Sequence, residues 1–143
     1  MTRVSFYVLQ PAAAERPPAA CRIVEKAYRL GKGIYVHLPS PAALAHFDDL
    51  LWTFRQGSFV PHLPAANDDG RVPVLLGSQA RPQPRVSDVL VNLADEVPGF
   101  FGQFDRLIEI VGGEEEARTQ ARERFRFYRD RGYALETLDL PAA

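Results

Sequence analysis

The stretch GIYVHLPSPAALAHFDDLLWTF, residues 33–54, contains both kinds of element from which the fold is predicted to be built. GIYVHL (33–38) is short and rich in β-branched and aromatic residues, which is typical of a buried strand. SPAALAHFDDLLWTF (40–54) repeats its apolar residues with a helical period, and Ser40 and Pro41 suit the cap and the first turn of a helix. A strand that runs directly into a helix predicts an α/β protein.

The same alternation continues on both sides of this stretch. VSFYVL (4–9) predicts a first strand, and residues 17–30 predict a first helix that begins with Pro17 and Pro18. Loops are expected at 61–71 and 77–86, where Pro, Gly, Asn and Asp are frequent. Further elements are strands at 72–77, 88–93, 106–111 and 133–140, a short helix within 97–104 and a long helix at 114–131. We therefore predict one three-layer α/β domain over residues 1–143, with a mixed, mostly parallel sheet and helices on both faces.

Composition limits the function classes. The chain has 143 residues, of which 46% are hydrophobic and 24% charged, and this balance is typical of a globular protein. No apolar run approaches the roughly 20 residues of a membrane helix, and the N-terminus does not resemble a signal peptide, so we expect a cytoplasmic protein. The single cysteine, Cys21, excludes an intrachain disulfide. A net charge of −1 does not support general affinity for a phosphate backbone, and 15 of the 17 basic residues are arginine.

No residue pattern indicates catalysis. The first predicted turn, LQPAAAERPP (9–18), contains no glycine, so the chain has a nucleotide-binding-like topology without a phosphate loop. The three histidines, His37, His46 and His62, show no zinc-ligand spacing, and no GxSxG motif is present. We therefore predict no catalytic residues, no cofactor and no metal.

Trp52, the only tryptophan, does not fit the second helix. On a helical wheel Leu44, Phe47, Leu50, Leu51 and Phe54 form the core stripe, and the indole falls outside it. Either the helix ends early and the indole folds back into the core, or Trp52 is an exposed anchor for a protein partner. In the second case Phe59 extends the same apolar patch.

The last helix predicts a second surface. Ala117, Ala121, Phe125 and Tyr128 form its core stripe, whereas four arginines lie side by side on one face: Arg118, Arg122, Arg126 and Arg129. These arginines form either a solvated face, with a Glu114–Arg118 pair, or a site for an acidic peptide or a phosphate strand.

Several motifs along nearly the whole chain resemble the chi subunit family of bacterial DNA polymerase III holoenzyme. They are SFYVL near the N-terminus, LLWTFRQGSFVPH with its Leu-Trp and Phe-Val-Pro-His signature, DVLVNL, and ARERFRFYRDRGY. The resemblance implies a non-catalytic α/β adaptor in the clamp-loader assembly, with roles in DNA replication and repair. It also implies that nucleic acid is contacted only indirectly and that no membrane is involved.

The resemblance implies two protein partners. Trp52, Arg55 and Phe59 would face the psi subunit, although Arg55 stands where proline is familiar in the family. A helicase is an alternative partner for this surface.

The second partner would be the acidic C-terminal tail of single-stranded-DNA-binding protein. Arg122 and Arg126 would hold the tail's carboxylates, and Val111 and Phe125 would wall a pocket for its last side chain; the matching positions are Val111, Arg118, Arg122, Phe125 and Arg126. Two competing functions remain: direct nucleic-acid binding through the arginine face, and an enzyme of the nucleotide-binding α/β type.

Overall fold

The computed structural model describes residues 1–10 and 14–141. Residues 11–13, which belong to the glycine-free turn, and residues 142–143 lie outside this description. The strands are β1 (Arg3–Gln10), β2 (Ile34–His37), β3 (His62–Pro64), β4 (Val74–Gly77), β5 (Val89–Asn92), β6 (Arg106–Val111) and β7 (Ala134–Pro141). The helices are α1 (Arg16–Arg29), α2 (Pro41–Thr53) and α3 (Glu115–Asp130), with short 3-10 turns at Ala65–Asn67 and Phe101–Gln103.

The strands form one seven-stranded sheet in the order β3-β4-β2-β5-β6-β1-β7. Every strand pair in the described part of the chain is parallel, whereas the sequence predicted a mixed, mostly parallel sheet. A parallel sheet is stable when both of its faces are covered. Here α1 and α2 cover one face and α3 covers the other, so the predicted three-layer α/β class is confirmed.

The prediction of a loop throughout residues 61–71 was wrong. His62–Pro64 forms β3, a three-residue edge strand paired in parallel with β4. A segment this short, bounded by Pro61 and Pro64, has little strand signal of its own. Its pairing depends on β4 lying beside it, which the sequence pattern does not reveal.

Successive side chains of the strands point to opposite faces of the sheet and pack into two separate hydrophobic cores. In β2, Ile34 and Val36 pack against α1 and α2, and Tyr35 points into the core beneath α3. The four residues of β2 are all buried, as expected for a central strand covered on both faces.

The position of α2 determines which of its side chains reach solvent. Ser40 caps the helix by accepting a hydrogen bond from the Ala43 backbone N–H at 3.1 Å, and Pro41 begins the helix as predicted. Phe47 and Leu51 are buried against the sheet. The next residue, Trp52, is 45% exposed, because successive helical residues point about 100° apart.

His37 ends β2 in a buried position. Its Nδ1 atom has no hydrogen-bond partner among the described residues, and the ring packs edge-on against Phe100 with centroids 5.1 Å apart. Burial lowers the pKa of this imidazole from its ordinary value of 6.5, because the charged form loses its hydration.

This lowered pKa predicts a specific loss of stability in acid. Between the two pKa values the unfolded chain binds more protons at this position than the folded chain, so the contribution of neutral His37 is present above about pH 6.5 and is lost as pH falls. Thermal unfolding measured from pH 7.5 to 5.0 should show a smaller decrease in melting temperature for His37→Gln than for wild type. His46→Gln, at an exposed position, should keep the wild-type pH dependence. Equal acid sensitivity in wild type and His37→Gln would contradict this assignment.

Candidate functional site

Four of the five residues predicted to bind an acidic tail line one cavity beside α3. This cavity, here called the α3 pocket, has a volume of about 370 Å³. Val111, Arg118, Arg122 and Phe125 line it together with Phe6, Val8, Ala121 and Thr137. The fifth residue, Arg126, lies one helical turn beyond Arg122, is exposed and does not line the cavity.

Strand register explains why residues distant in sequence meet in the α3 pocket. Val8 of β1 lies opposite Val111 of β6, and Phe6 lies opposite Thr137 of β7. The sheet therefore supplies an apolar floor, across which α3 runs. Phe125 packs edge-on against the buried Phe6 with ring centroids 5.2 Å apart, which fixes one wall of the pocket. Phe125 is only half-buried, whereas the sequence pattern placed it in the core stripe.

The arginines beside the α3 pocket have no acidic partner among the described residues. Arg118, Arg122 and Arg126 form no ion pair within the described residues, so the Glu114–Arg118 pair of the solvated-face alternative is not formed. In the part of the chain that the structure describes, Arg122 Nη2 donates a hydrogen bond only to Thr119 Oγ1, at 3.2 Å. Further along the helix, Arg129 pairs with Asp130 at 3.1 Å. The pocket thus combines an apolar floor with unpaired guanidinium groups, which suits a ligand that carries both carboxylates and an apolar side chain.

A buried polar cluster that the sequence reasoning missed fixes α3 to the sheet. Glu109 of β6 and Arg124 of α3 are 0% and 4% exposed, and their Oε1 and Nε atoms are 3.2 Å apart. The Tyr128 hydroxyl donates to Glu109 Oε2 at 2.6 Å, and Asn92 Nδ2 approaches both carboxylate oxygens at 3.2 and 3.1 Å. Arg124 Nη1 also donates to the Asp95 carbonyl at 2.7 Å. Each polar group of the cluster therefore has a partner, as burial requires.

The pKa values of two groups in this cluster, Glu109 and Tyr128, are raised above their ordinary values. Burial raises the pKa of the Glu109 carboxyl, and the Arg124 charge and the hydrogen bonds from Tyr128 and Asn92 oppose that effect. Burial also raises the pKa of Tyr128, and the Glu109 charge raises it further. The cluster is enclosed by protein and lies behind α3, so its role is to position the helix.

Two signals in the sequence point to this cluster. Glu109 is the only acid in the otherwise apolar interior of RLIEIV, which becomes a strand covered on both faces. Arg124 lies three residues after Ala121 and four before Tyr128, a spacing that places it on the buried side of α3. Each charge looks unfavourable by itself, and only their mutual contact explains both.

The second candidate surface, here called the Trp52 surface, consists of Trp52 and Phe59. These side chains are 45% and 63% exposed, with ring centroids 5.6 Å apart. The indole also lies against the ring of the buried His62, at a centroid distance of 4.3 Å. His62 is fixed by contacts with the Val60 carbonyl at 2.7 Å and with Asp48 Oδ1 at 2.9 Å. Two large apolar side chains therefore stand in solvent on an ordered base, as in protein–protein interfaces.

Arg55, predicted to belong to the same surface, is engaged inside the molecule. It forms an ion pair with Glu25 of α1, which also accepts a hydrogen bond from the Ser58 hydroxyl. Arg29 approaches the same carboxylate at 3.6 Å. The charge of Arg55 therefore helps to fix the chain after α2 against α1, although its side chain is 53% exposed.

The two surfaces occupy opposite ends and opposite faces of the sheet. Trp52 and His62 lie at the β3 edge, on the side covered by α1 and α2. The α3 pocket lies near the β7 edge, on the other side. Ligands at the two surfaces would not compete for space.

Three further observations on the residues that the structure describes concern metal binding, membrane crossing and the reactivity of Cys21. Within those residues, no group of three His, Cys, Asp or Glu side chains is placed to hold a metal ion, and no helix is long and apolar enough to cross a membrane. Cys21 is buried in α1, and burial raises the pKa of its thiol to about 12, so the thiolate needed for nucleophilic attack is disfavoured.

The fold and its two surfaces define a class: an α/β protein with an exposed apolar surface and a separate basic pocket. The chain belongs to the DNA polymerase III chi subunit family, because the family model described as "DNA polymerase III chi subunit, HolC" matches residues 1–136. It is 43% identical over 142 residues to the DNA polymerase III subunit chi of Pseudomonas aeruginosa, covering 99% of both chains.

More distant relatives carry the same name. The Haemophilus influenzae subunit chi is 30% identical over 134 residues, covering 92% of this chain and 93% of the relative. The Escherichia coli subunit chi is 31% identical over 148 residues, covering 96% and 97%. The resemblance predicted from the motifs is therefore confirmed at the level of the family.

The buried cluster generates a prediction about stability. Arg124→Ala leaves the Glu109 carboxylate buried without its cation and should lower the free energy of unfolding by about 3–5 kcal/mol. Arg122→Ala, one half-turn away on the exposed side of the helix, should change it by less than about 0.5 kcal/mol. Urea unfolding followed by circular dichroism measures both values. A small loss for Arg124→Ala would show that the cluster does not hold α3 in place.

Proposed function

We propose that this chi-family protein is a non-catalytic, cytoplasmic adaptor of the replicative polymerase's clamp-loader assembly. In this proposal the α3 pocket binds the acidic C-terminal tail of single-stranded-DNA-binding protein, and the Trp52 surface binds the psi subunit. The observation that carries the proposal is the α3 pocket, in which unpaired arginines border an apolar cavity.

The chemistry of the α3 pocket supports an acidic peptide that ends in an aromatic residue. An arginine fork can take the terminal carboxylate in a bidentate contact while the side chain enters the cavity between Val111 and Phe125. Arg126 lies one turn beyond Arg122, where acidic residues upstream of the terminus could reach it. The tail would order itself on binding, so each contact should be weak and sensitive to salt.

The Trp52 surface supports a partner with a complementary apolar patch. Trp52 and Phe59 contribute large area with few rotamers to freeze, which is favourable in an interface. Arg55 contributes less than the resemblance implies, because its charge is already paired with Glu25. A helicase is the alternative partner at this surface.

The α3 pocket predicts the effect of a single substitution. Arg122→Ala should weaken binding of a synthetic acidic peptide ending in Pro-Phe by about 10- to 100-fold, the loss expected for one charge-assisted contact. Isothermal titration calorimetry measures this affinity. Arg129→Ala is the matched control, since it removes an exposed arginine of the same helix that already pairs with Asp130. Equal affinity for wild type and Arg122→Ala would refute the assignment of Arg122.

The Trp52 surface predicts a separate loss. Trp52→Ala should weaken capture of the psi subunit by at least about tenfold, as at an interface hot spot, while peptide binding at α3 is unchanged. Leu138→Ala, which truncates another exposed apolar residue, should leave psi binding intact. Surface plasmon resonance measures psi binding, and a melting curve checks the fold. If Trp52→Ala binds psi as tightly as wild type does, the assignment of psi to this surface is wrong, and a helicase would then be tested there.

Direct nucleic-acid binding through α3 is the alternative function, favoured by the unpaired arginine row. It predicts that single-stranded DNA competes with the acidic peptide and that Arg122→Ala weakens both. The peptide is favoured here, because bidentate arginine contacts suit its terminal carboxylate and the cavity beneath the arginines accepts its one apolar side chain.

A further inference from the structure

A second basic concavity lies on the face of the sheet opposite α3. This concavity, here called the α1 groove, has a volume of about 450 Å³ and runs between α1 and the strands β1, β5 and β6. Six basic and three acidic side chains line it, although the whole chain has a net charge of −1. The basic residues are Arg3, Arg22, Lys26, Lys32, Arg55 and Arg106.

Part of this positive charge has no internal partner. Arg55 pairs with Glu25, and Arg106 lies 3.3 Å from Glu136. Arg3, Lys26 and Lys32 form no ion pair in the part of the chain that the structure describes, and all three are exposed. Among the described residues the groove therefore presents three exposed cations without an ion pair. A fourth, Arg22, is partly buried, has no ion pair there either and donates a hydrogen bond to the Pro141 carbonyl at 2.9 Å.

The three exposed cations come from separate segments of the chain. Lys26 lies in the last turn of α1 and Lys32 follows the helix, positions where a cation also offsets the helix dipole. Arg3 begins β1 and has no such role. The convergence of a sheet residue with two helix-end residues on one concavity is a feature that the dipole does not explain.

The acidic residues in the groove do not cancel this charge. The Glu25 carboxylate is buried and engaged by Arg55 and Ser58, and Asp88 accepts a hydrogen bond from the Gly33 backbone N–H at 2.7 Å. Only Asp105 is exposed. A polyanion that enters the groove would thus meet mostly unpaired positive charge.

Apolar surface lies between the charges. Leu30 is 67% exposed at the end of α1, and the half-buried ring of Tyr7 lies 6.0 Å from the Arg106 guanidinium carbon. Cations that alternate with exposed apolar and aromatic surface are typical of sites for single-stranded nucleic acid, in which phosphates meet the charges and bases meet the apolar groups.

We propose that the α1 groove binds single-stranded DNA directly. The groove contains both lysines of the chain together with Arg3, and both residue types bind phosphate, lysine as a point charge and arginine in bidentate contacts. A concavity of this size is too small to enclose a duplex but can admit part of an unpaired strand. This contact is additional to the proposed tail binding and lies on the other face of the sheet.

Fluorescence anisotropy with a labelled oligothymidylate of about 15 nucleotides, at about 50 mM salt, tests the proposal. The double variant Lys26→Glu, Lys32→Glu should bind at least about tenfold more weakly than wild type. The plot of log affinity against log salt should become less steep, its slope changing toward zero by about 1.4, or about 0.7 for each lost phosphate contact. The matched control Arg71→Glu, Arg81→Glu changes the net charge equally at exposed loop positions and should bind within about twofold of wild type.

Further arms separate this site from its alternatives. Arg118→Glu, Arg122→Glu should retain DNA binding and lose the acidic peptide, and the lysine variant should retain the peptide. A duplex of the same length should bind more weakly than the single strand. Free thymidine monophosphate or a polyglutamate peptide, added at the same total concentration of negative charge, should not displace the labelled single strand. If melting curves show that the charge reversal unfolds the chain, the neutral variant Lys26→Ala, Lys32→Ala is used in its place. We expect it to lose affinity for single-stranded DNA too, but by a smaller factor.

Four results would overturn the proposal. They are no binding of single-stranded DNA by wild type, equal losses in the lysine and loop variants, loss only in the α3 variant, and equal or tighter binding of the duplex, the monophosphate or polyglutamate. The third result would favour direct nucleic-acid binding through α3, and the competition between peptide and single-stranded DNA would then decide the ligand of that site. The other three results would leave the acidic-tail assignment unchanged, because it rests on the peptide titrations.

Discussion

The contact between Glu109 and Arg124 is the interaction on which the arrangement of the basic surface depends. It joins the middle of β6 to the buried side of α3, and hydrogen bonds from Tyr128 and Asn92 complete it. Because a guanidinium and a carboxylate are costly to bury apart, the helix cannot rotate freely about its axis without separating them. That constraint fixes which arginines of α3 face outward, and it places Phe125 over the sheet beside Val111.

Coverage of a parallel sheet from both sides explains how one small domain carries several surfaces. Helices α1 and α2 take one face and α3 takes the other, so the exposed sides of the helices point in opposite directions. The Trp52 surface and the α3 pocket lie at different edges of the sheet and can be occupied together. The α1 groove lies where α1 leaves part of the sheet accessible. The adaptor role proposed above would require this kind of separation.

Much of the fold could be predicted from the sequence because its elements have strong local signals. The helix from Ser40 and Pro41, the apolar strand interiors and the long amphipathic α3 follow from capping, periodicity and composition. β3 was missed because three residues beside prolines form a strand only through pairing with β4. Arg124 was missed because a charged residue on a core stripe is explained only by its partner in another element, 15 residues earlier in the chain.

The candidate sites divide in the same way. The sequence by itself determined that Trp52 falls off the apolar stripe of its helix and that arginines line one side of α3, because both follow from helical geometry. The family resemblance came from the same motifs. The resemblance implied one pocket for Val111 and Phe125, and both line the same cavity. Only the tertiary structure decided that Arg126 lies outside this cavity, that Glu25 forms an ion pair with Arg55, and that Arg3 meets Lys26 and Lys32 at one groove. These outcomes depend on strand order and register, which bring together residues that are far apart in the chain and that no local pattern connects.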